Sequence, residues 1–253
     1  MRFVLILFGL FCAAPAGAVA PGQPGIVGRD DRRPIALDEQ RPWNAVGRLN
    51  REAGGFCTAV LVGPREALTA AHCLWDHVRG RWLEPETIHF VPGYRRGAYL
   101  GHARGASFRF APSIVMTPEG RPSELVDDWA VVLLDLDLQG GAGIEPLAVA
   151  GATLRRALGP SATLMRAGYG SDRPHLPILV DHCSVLGSSG EGRLLLHDCD
   201  ATLGDSGSPI VVRHEGRLMV LGIQSSVVRL GDDEAGVAVV VEKQLPAAAL
   251  LGH

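Results

Sequence analysis

Short apolar runs recur along the chain and end at Gly, Pro or Asp, a pattern typical of β-strands. Helical periodicity is confined to a turn after His72 and to a tail over residues 243–251. The stretch 95–122 is predicted to be irregular because Gly, Arg, Ser and Pro dominate it. The predicted class is therefore all-β, with strands over residues 56–62, 67–71, 129–134, 162–167, 209–212, 218–223 and 237–241.

The first 20 residues have a different character from the rest of the chain. Arg2 precedes an apolar run over residues 3–14 that is too short to span a bilayer and is followed by small residues. This pattern predicts a secretory signal peptide over residues 1–20, cleaved between about residues 16 and 20. No later run approaches the roughly 20 apolar residues of a membrane span, so we expect a secreted or periplasmic protein without stable membrane insertion.

Charge excludes one class of partner. Lys and Arg number 24 against 27 for Asp and Glu, and no basic run occurs, so nucleic-acid binding is not predicted. Glycines cluster over residues 139–143, near the middle of the chain that follows the signal peptide. This segment is the best candidate for a linker between two halves.

An even number of cysteines remains once the signal peptide is removed. These are Cys57, Cys73, Cys183 and Cys199, for which three pairings are possible in an oxidising compartment. Spacing favours the two local pairs, each closing a loop of about 17 residues and contributing on the order of 3 kcal/mol. The alternative is a zinc site.

A zinc site would combine Cys183 and Cys199 with the adjacent His182 and His197. This spacing lacks the usual C-x-x-C element, and secretion favours oxidation of thiols. The spacing from His72 to His77 likewise differs from the H-E-x-x-H pattern of metalloproteases. We therefore expect no metal and no cofactor.

Three segments carry residues suited to nucleophilic catalysis. His72 ends the segment Thr-Ala-Ala-His before Cys73, Asp128 precedes Trp-Ala-Val-Val, and Ser206 lies in Gly-Asp-Ser-Gly-Ser-Pro. A serine hydroxyl needs a base to take its proton, and histidine is the side chain whose ordinary pKa lies near neutrality. A carboxylate such as Asp128 would orient the imidazole and stabilise its transient charge.

Together these segments resemble the trypsin-like, chymotrypsin-fold serine peptidases, in the family's order His, Asp, Ser. Further matches are 26–28 (Ile-Val-Gly), 168–170 (Gly-Tyr-Gly) and 221–225 (Leu-Gly-Ile-Gln-Ser). The segments 28–32 and 199–209 are most similar to the bacterial secreted branch that includes the glutamyl endopeptidases. An α/β-hydrolase is disfavoured, because Ser208 replaces the last glycine of G-x-S-x-G and the triad order differs.

The resemblance implies two six-stranded antiparallel β-barrels packed side by side, with the active site in the cleft between them. The peptidase domain would span residues 21–253, with the first barrel ending at about residue 138 and the second starting at about residue 144. The oxyanion hole would be formed by the amides of Gly204 and Ser206. The bridge between Cys57 and Cys73 would match the family disulfide beside the catalytic histidine.

Asp127 is the rival of Asp128 for the acid. The family pattern puts the acid immediately before an apolar residue and alanine, which here selects Asp128. Asp205 matches the position that, in the trypsin branch, pairs with a new α-amine, and Ile26 matches that N-terminus. A pro-segment ending at Gly25 is one alternative, and a local partner for Asp205 is the other.

The residues expected to contact substrate are Ser225, Gln224 and Asp200. Ser225 matches the serine on the strand that binds the substrate backbone. Glutamyl endopeptidases carry histidine at the position of Gln224, so a strict preference for glutamate loses its main support. Asp200 lies six residues before Ser206, where trypsin has its pocket aspartate, but Cys199 precedes it, which favours a carboxylate that fixes the loop.

The predicted function is a secreted serine endopeptidase that acts on protein or peptide substrates through an acyl-enzyme on Ser206, as a monomer. The alternative is a secreted protein-binding module on the same fold, in which hydrolysis is latent or lost. The triad positions and Gly204 are all present, which argues against loss.

Overall fold

The computed structural model describes residues 24–140, 143–151, 154–155, 162–231 and 233–241. The predicted signal peptide and the predicted helical tail lie outside these ranges, as do residues 141–142 of the predicted linker. In the part of the chain that is described, no helix is long and apolar enough to cross a membrane.

The described chain is built from strands joined by long connections. In the first half these are β1 (Arg33–Pro34), β2 (Val46–Arg51), β3 (Phe56–Gly63), β4 (Glu66–Thr69), β5 (Trp75–Asp76), β6 (Arg81–Trp82), β7 (Ile88–Pro92), β8 (Ala103–Phe110) and β9 (Ala130–Leu134). In the second half they are β10 (Ala148–Val149), β11 (Thr163–Gly168), β12 (Ile178–Ser189), β13 (Leu194–His197), β14 (Pro209–His214), β15 (Arg217–Leu230) and β16 (Asp233–Val240).

Helical structure in the described chain is limited to single turns. They include Gln40–Trp43, Ala71–Leu74, Pro85–Thr87, Leu125–Asp127 and Gly190–Gly192. The turn expected after His72 is the 3-10 segment Ala71–Leu74, which contains that histidine.

The first barrel closes in the order β2-β3-β4-β9-β8-β7. Its strands pair antiparallel, with Val46 opposite Val60 and Leu68 opposite Val131. Strand β3 is buried along nearly its whole length, because its run of apolar residues packs on both faces. Apolar burial of this kind drives the barrel to close around its own side chains.

The second barrel closes in the order β11-β14-β15-β16-β13-β12, since β12 pairs with both β11 and β13. Strand β1 extends β12 at one edge, and β10 pairs parallel with β15. Strand β15 is the longest and pairs with β14 at its start and with β16 along most of its length. The predicted fold class, all-β with two six-stranded antiparallel barrels, is therefore confirmed.

One prediction about the first half is wrong. The stretch 95–122 contains β8, which completes the first barrel between β7 and β9. Its sequence hides the strand, because Arg104, Ser107 and Arg109 alternate with small or half-buried residues and part of the strand faces solvent. Pairing with the two buried neighbours fixes the strand where its own hydrophobicity does not.

Candidate active site

His72 is held at the end of the first barrel by a disulfide. Strand β4 ends at Thr69, and the turn Ala71–Leu74 then carries His72 and Cys73. Cys73 is bonded to Cys57 of β3 with an S–S distance of 2.10 Å. The turn that bears the imidazole is therefore anchored covalently to a central strand of the barrel.

Asp128 lies directly against His72. Its Oδ2 is 2.8 Å from His72 Nδ1, and its Oδ1 accepts the backbone N–H of His72 at 3.0 Å. The Ser225 hydroxyl, from β15 of the second barrel, donates to the same Oδ2 at 2.5 Å. A carboxylate only accepts, so the Nδ1 atom carries the proton and Nε2 is left to act as a base.

Burial and hydrogen bonding compete at Asp128, which is only 1% exposed. Burial raises the pKa of its carboxyl. The charge of a protonated His72 and the hydrogen bonds from His72 and Ser225 together lower that pKa by a larger amount, so the net shift is downward. The carboxylate is thus kept ionised beside the imidazole. The neighbouring Asp127 is also buried, yet no hydrogen bond joins its side chain to His72 in the described structure.

The loop before β14 presents Ser206 between two glycines with positive φ. Gly204 has φ +94° and Gly207 has φ +81°, a region that side chains rarely adopt. A Cβ at Gly204 would lie 2.7 Å from the Tyr169 carbonyl oxygen, and one at Gly207 would lie 2.2 Å from the carbonyl oxygen of Thr58. Both positions therefore require glycine for space as well as for conformation.

The backbone amides of Gly204 and Ser206 donate no hydrogen bond to any described residue. By contrast, the amides that follow them are paired, Gly207 to the Gln224 carbonyl at 2.8 Å and Ser208 to the Asp205 carbonyl at 2.9 Å. Two unused donors beside a serine are what an oxyanion would require.

Thr58 of the first barrel fixes this loop from the other side. Its N–H donates to the Ser206 carbonyl at 2.9 Å, and its hydroxyl donates to the Gly204 carbonyl at 3.1 Å. Both carbonyls of the serine loop are therefore held by one residue of the first barrel. The position of the loop therefore depends on contact between the barrels.

Asp205 forms a buried ion pair with Arg166 of β11, with 2.5 Å between Oδ1 and Nη1. Its Oδ2 accepts the N–H of Thr202 at 2.8 Å. The sequence is compatible with an α-amine at Ile26 or with a local partner for Asp205, and the structure gives it Arg166 and Thr202. The sequence signal for this partner is the single arginine within the apolar run 162–167.

Asp200 is buried and is not among the residues that line the cleft, as a contact with substrate would require. It is 1% exposed, its Oδ1 accepts the N–H of Val27 at 2.7 Å, and its Oδ2 accepts that of Asp31 at 3.4 Å. Burial raises the pKa of this carboxyl, partly offset by those two amide bonds. The expected substrate contact at Asp200 is therefore replaced by the loop-fixing role, directed at the N-terminal segment.

The second disulfide removes the thiols needed for the alternative zinc site. Cys183 of β12 is bonded to Cys199 with an S–S distance of 2.14 Å, and neither sulfur is available as a thiolate. His182 is 82% exposed at the surface. The two sulfurs near His72, those of Cys57 and Cys73, are likewise bonded to each other and cannot bind a metal as thiolates.

A cleft of about 540 Å³ runs past these residues. His72, Asp128, Ser206, Gln224 and Ser225 all line it, so the structure brings together the proposed triad and two of the three expected substrate contacts. The Ser206 hydroxyl makes no hydrogen bond to His72 or to another described residue. Such contacts commonly tighten only when substrate is bound.

A two-barrel fold with a His–Asp pair and a serine loop at the barrel interface defines the class of the chymotrypsin-fold serine peptidases. The family model described as Trypsin matches residues 26–247. The chain belongs to the trypsin family.

Glutamyl endopeptidases appear among the proteins to which the chain is similar. The glutamyl endopeptidase of Bacillus licheniformis is 27% identical over 88 residues, which cover 35% of this chain and 27% of that protein. The match thus spans about a quarter of the relative's length. A solved structure of a Glu endopeptidase in complex with MPD aligns with a TM-score of 0.67 at 19% identity, covering 85% of this chain and 94% of the other.

Proposed function

We propose that the protein is an exported serine endopeptidase that cleaves peptide bonds through an acyl-enzyme on Ser206. The observation that carries the proposal is the hydrogen-bonded pair of His72 and buried Asp128, which shares a cleft with Ser206 and its two unpaired amides. Membership of the trypsin family and the two disulfides support it.

In the first chemical step, Ser206 Oγ bonds to the carbonyl carbon of the substrate and its proton passes to His72 Nε2. The carbonyl oxygen becomes an oxyanion, for which the amides of Gly204 and Ser206 are the available donors. The oxyanion collapses, the C–N bond breaks, and His72 returns its proton to the leaving amine. Asp128 stabilises the imidazolium throughout without taking its proton.

In the second step, water replaces the amine. His72 removes a proton from the water as its oxygen attacks the acyl carbon, and the second oxyanion meets the same two amides. When this intermediate collapses, the bond to Ser206 Oγ breaks and His72 protonates the serine. The products are a carboxylic acid and the regenerated enzyme.

Covalent labelling with a fluorophosphonate probe tests the proposal directly, because the probe reacts only with an activated serine. We expect stoichiometric labelling of the wild type, loss of labelling in Ser206→Ala, and no change in Ser188→Ala, which replaces an exposed serine of β12. A folded wild-type protein that remains unlabelled and cleaves no peptide would favour the binding-module alternative.

A further inference from the structure

The N-terminal segment described from Gly25 to Arg32, here called the strap, lies against one end of the cleft. The Gly25 carbonyl accepts the N–H of Ala201 at 2.8 Å, and the Gly25 N–H donates to Glu234 Oε2 at 2.6 Å. Ala201 belongs to the segment leading to Ser206, and Glu234 belongs to β16. The strap is therefore hydrogen-bonded at Gly25 both to the segment that leads to Ser206 and to β16.

Gly25 fits closely between these walls. A Cβ at this position would lie 1.8 Å from the Ala201 carbonyl oxygen and 3.6 Å from Val227 Cγ2, and the residue has φ +84°. Val227 follows Ser225 by two residues on β15, and both line the cleft with Gly25 and Ala201. The strap thus closes the far end of the space that begins at Ser206.

Two carboxylates beside this space are hydrogen-bonded to the strap: Glu234 lines the cleft, whereas Asp200 is buried behind it. Asp200 accepts the amides of Val27 and Asp31 through its two oxygens, and Glu234 accepts the amide of Gly25. A carboxylate satisfied by backbone donors attracts a substrate cation less than a free one does. The negative charge is therefore directed at the strap rather than at the cleft.

The residue that precedes Ser225 on this wall carries no charge. Gln224 is neutral, and its side-chain nitrogen donates to the Ser226 carbonyl at 2.6 Å. His197 lies buried next to it, with Nδ1 accepting the N–H of Cys199 at 3.2 Å, an arrangement that requires a neutral ring. The buried Arg166 is occupied by Asp205 and by the Asp200 carbonyl.

Arg229 is the remaining charged residue of β15 that lines the cleft, and its side chain is exposed. It follows Ser225 by four residues, which corresponds to about 13 Å along an extended strand. That distance places it beyond the strap contact at Val227, toward the outer end of the cleft.

We propose that the strap closes the primary specificity pocket at this end of the cleft and occupies its neighbouring carboxylates, so that the substrate residue on the acyl side of the cleaved bond is uncharged. This inference rests on the proposed function of Ser206. The preferred substrate residue would then differ from the glutamate in the names of the similar proteins. The strap would determine which charges the pocket presents to substrate.

Profiling of the full-length secreted protein on a mixed peptide library tests the inference, with fluorophosphonate labelling as a parallel readout. We expect labelling together with cleavage after uncharged residues at least tenfold faster than after Glu, Asp, Arg or Lys. Labelled enzyme that cleaves mainly after a charged residue would overturn the strap proposal while leaving the peptidase proposal intact. Protein that is neither labelled nor active would overturn both.

A pair of glycine substitutions tests the role of the strap. Gly25→Ala places a methyl group against the Ala201 carbonyl, whereas Gly28→Ala meets nothing within 4 Å although Gly28 also has a positive φ. We expect Gly25→Ala to increase cleavage after Arg or Lys at least tenfold relative to uncharged residues, because Asp200 and Glu234 lose their partners, and Gly28→Ala to keep the wild-type profile. An unchanged profile in correctly folded Gly25→Ala would contradict the proposal.

If Gly25→Ala does not fold, Asp200→Asn provides the second variant. It keeps the size of the side chain, and the strap proposal expects the same preference for uncharged residues. Selective loss of cleavage after Arg or Lys in Asp200→Asn would show that Asp200 binds substrate directly, and would contradict the proposal.

Discussion

Arg166 and Asp205 form an ion pair in which neither side chain is more than 1% exposed to solvent. Arg166 lies on β11, and Asp205 lies between Gly204 and Ser206, whose amides donate no hydrogen bond to a described residue. The guanidinium also donates to the Asp200 carbonyl at 2.7 Å, so one cation holds both ends of the loop 200–205. The loop that carries the serine is thus held by Arg166 of the second barrel as well as by Thr58 of the first.

Replacement of this arginine is expected to destabilise the fold and the site together. Arg166→Met leaves the Asp205 carboxylate buried without its cation, and removing one member of such a pair costs about 3–5 kcal/mol. We expect a loss of that size in urea-induced unfolding, with labelling of Ser206 slowed in the protein that remains folded. Arg213→Met, at an exposed position on β14, serves as the control and should change stability by less than about 0.5 kcal/mol. Equal stability of the two variants would contradict the structural role of the pair.

The same ion pair predicts how the N-terminus affects activity. Because Asp205 already has a buried partner, a new α-amine at Ile26 is not needed to neutralise it. Forms of the protein that begin upstream of Ile26 should therefore label with the fluorophosphonate as fast as a form that begins at Ile26. N-terminal sequencing combined with labelling rates measures this. Activity restricted to the Ile26 form would show that Asp205 changes partner on processing.

Single replacement of each of the two adjacent aspartates by asparagine identifies the catalytic acid. Asp128→Asn removes the acceptor that fixes the His72 tautomer, and a change of this kind typically lowers kcat by about 10⁴. Asp127→Asn is the matched control at a neighbouring buried position and should change kcat less than about tenfold. Steady-state rates on a fluorogenic peptide report both values. A larger loss of kcat in Asp127→Asn than in Asp128→Asn would show that Asp128 is not the catalytic acid.

Acid should destabilise the protein through His197. Burial, assisted by the positive charge of Arg166 and opposed by Gln224, lowers the pKa of His197 to about 3. Since the unfolded residue titrates near 6.5, the unfolded chain binds one more proton between these values, and stability falls as pH decreases below about 6.5. The expected slope from this group is about 1.4 kcal/mol per pH unit.

Urea unfolding at several pH values between about 4 and 7 measures that slope. His197→Gln removes the titrating group and should flatten the dependence by about one proton, whatever its effect on stability at neutral pH. His182→Gln, at a position that is 82% exposed, should leave the slope unchanged. Identical slopes in His197→Gln and the wild type would contradict this assignment.

The sequence names candidates for the triad because each lies in a local motif with a fixed neighbour. The Cys57–Cys73 disulfide was predictable for the same reason, since both its spacing and its neighbour His72 are local. Strand β8 was missed because its stability comes from pairing with β7 and β9 rather than from its own apolar content. Local pattern thus identifies what a segment contains, but not which partner holds it.

The partners of the buried charges show the same limit. Arg166 and Asp205 are 39 residues apart, and Asp200 reaches Val27 across 173 residues. Counting six residues back from Ser206 suggested a pocket role for Asp200, whereas Cys199 immediately before it favoured a carboxylate that fixes the loop, and neither observation names Val27 as its partner. No spacing rule within one segment could contain that information.

The contacts of Thr58 connect parts of the chain that are synthesised far apart in time. Thr58 lies in β3, and the carbonyls that it binds belong to residues about 150 positions later in the chain. A growing polypeptide can complete its first barrel, including His72, before the serine loop has reached its hydrogen bonds with Thr58. Hydrolytic competence would then arise only when the second half docks, so incomplete or half-folded chains would be harmless to the proteins around them.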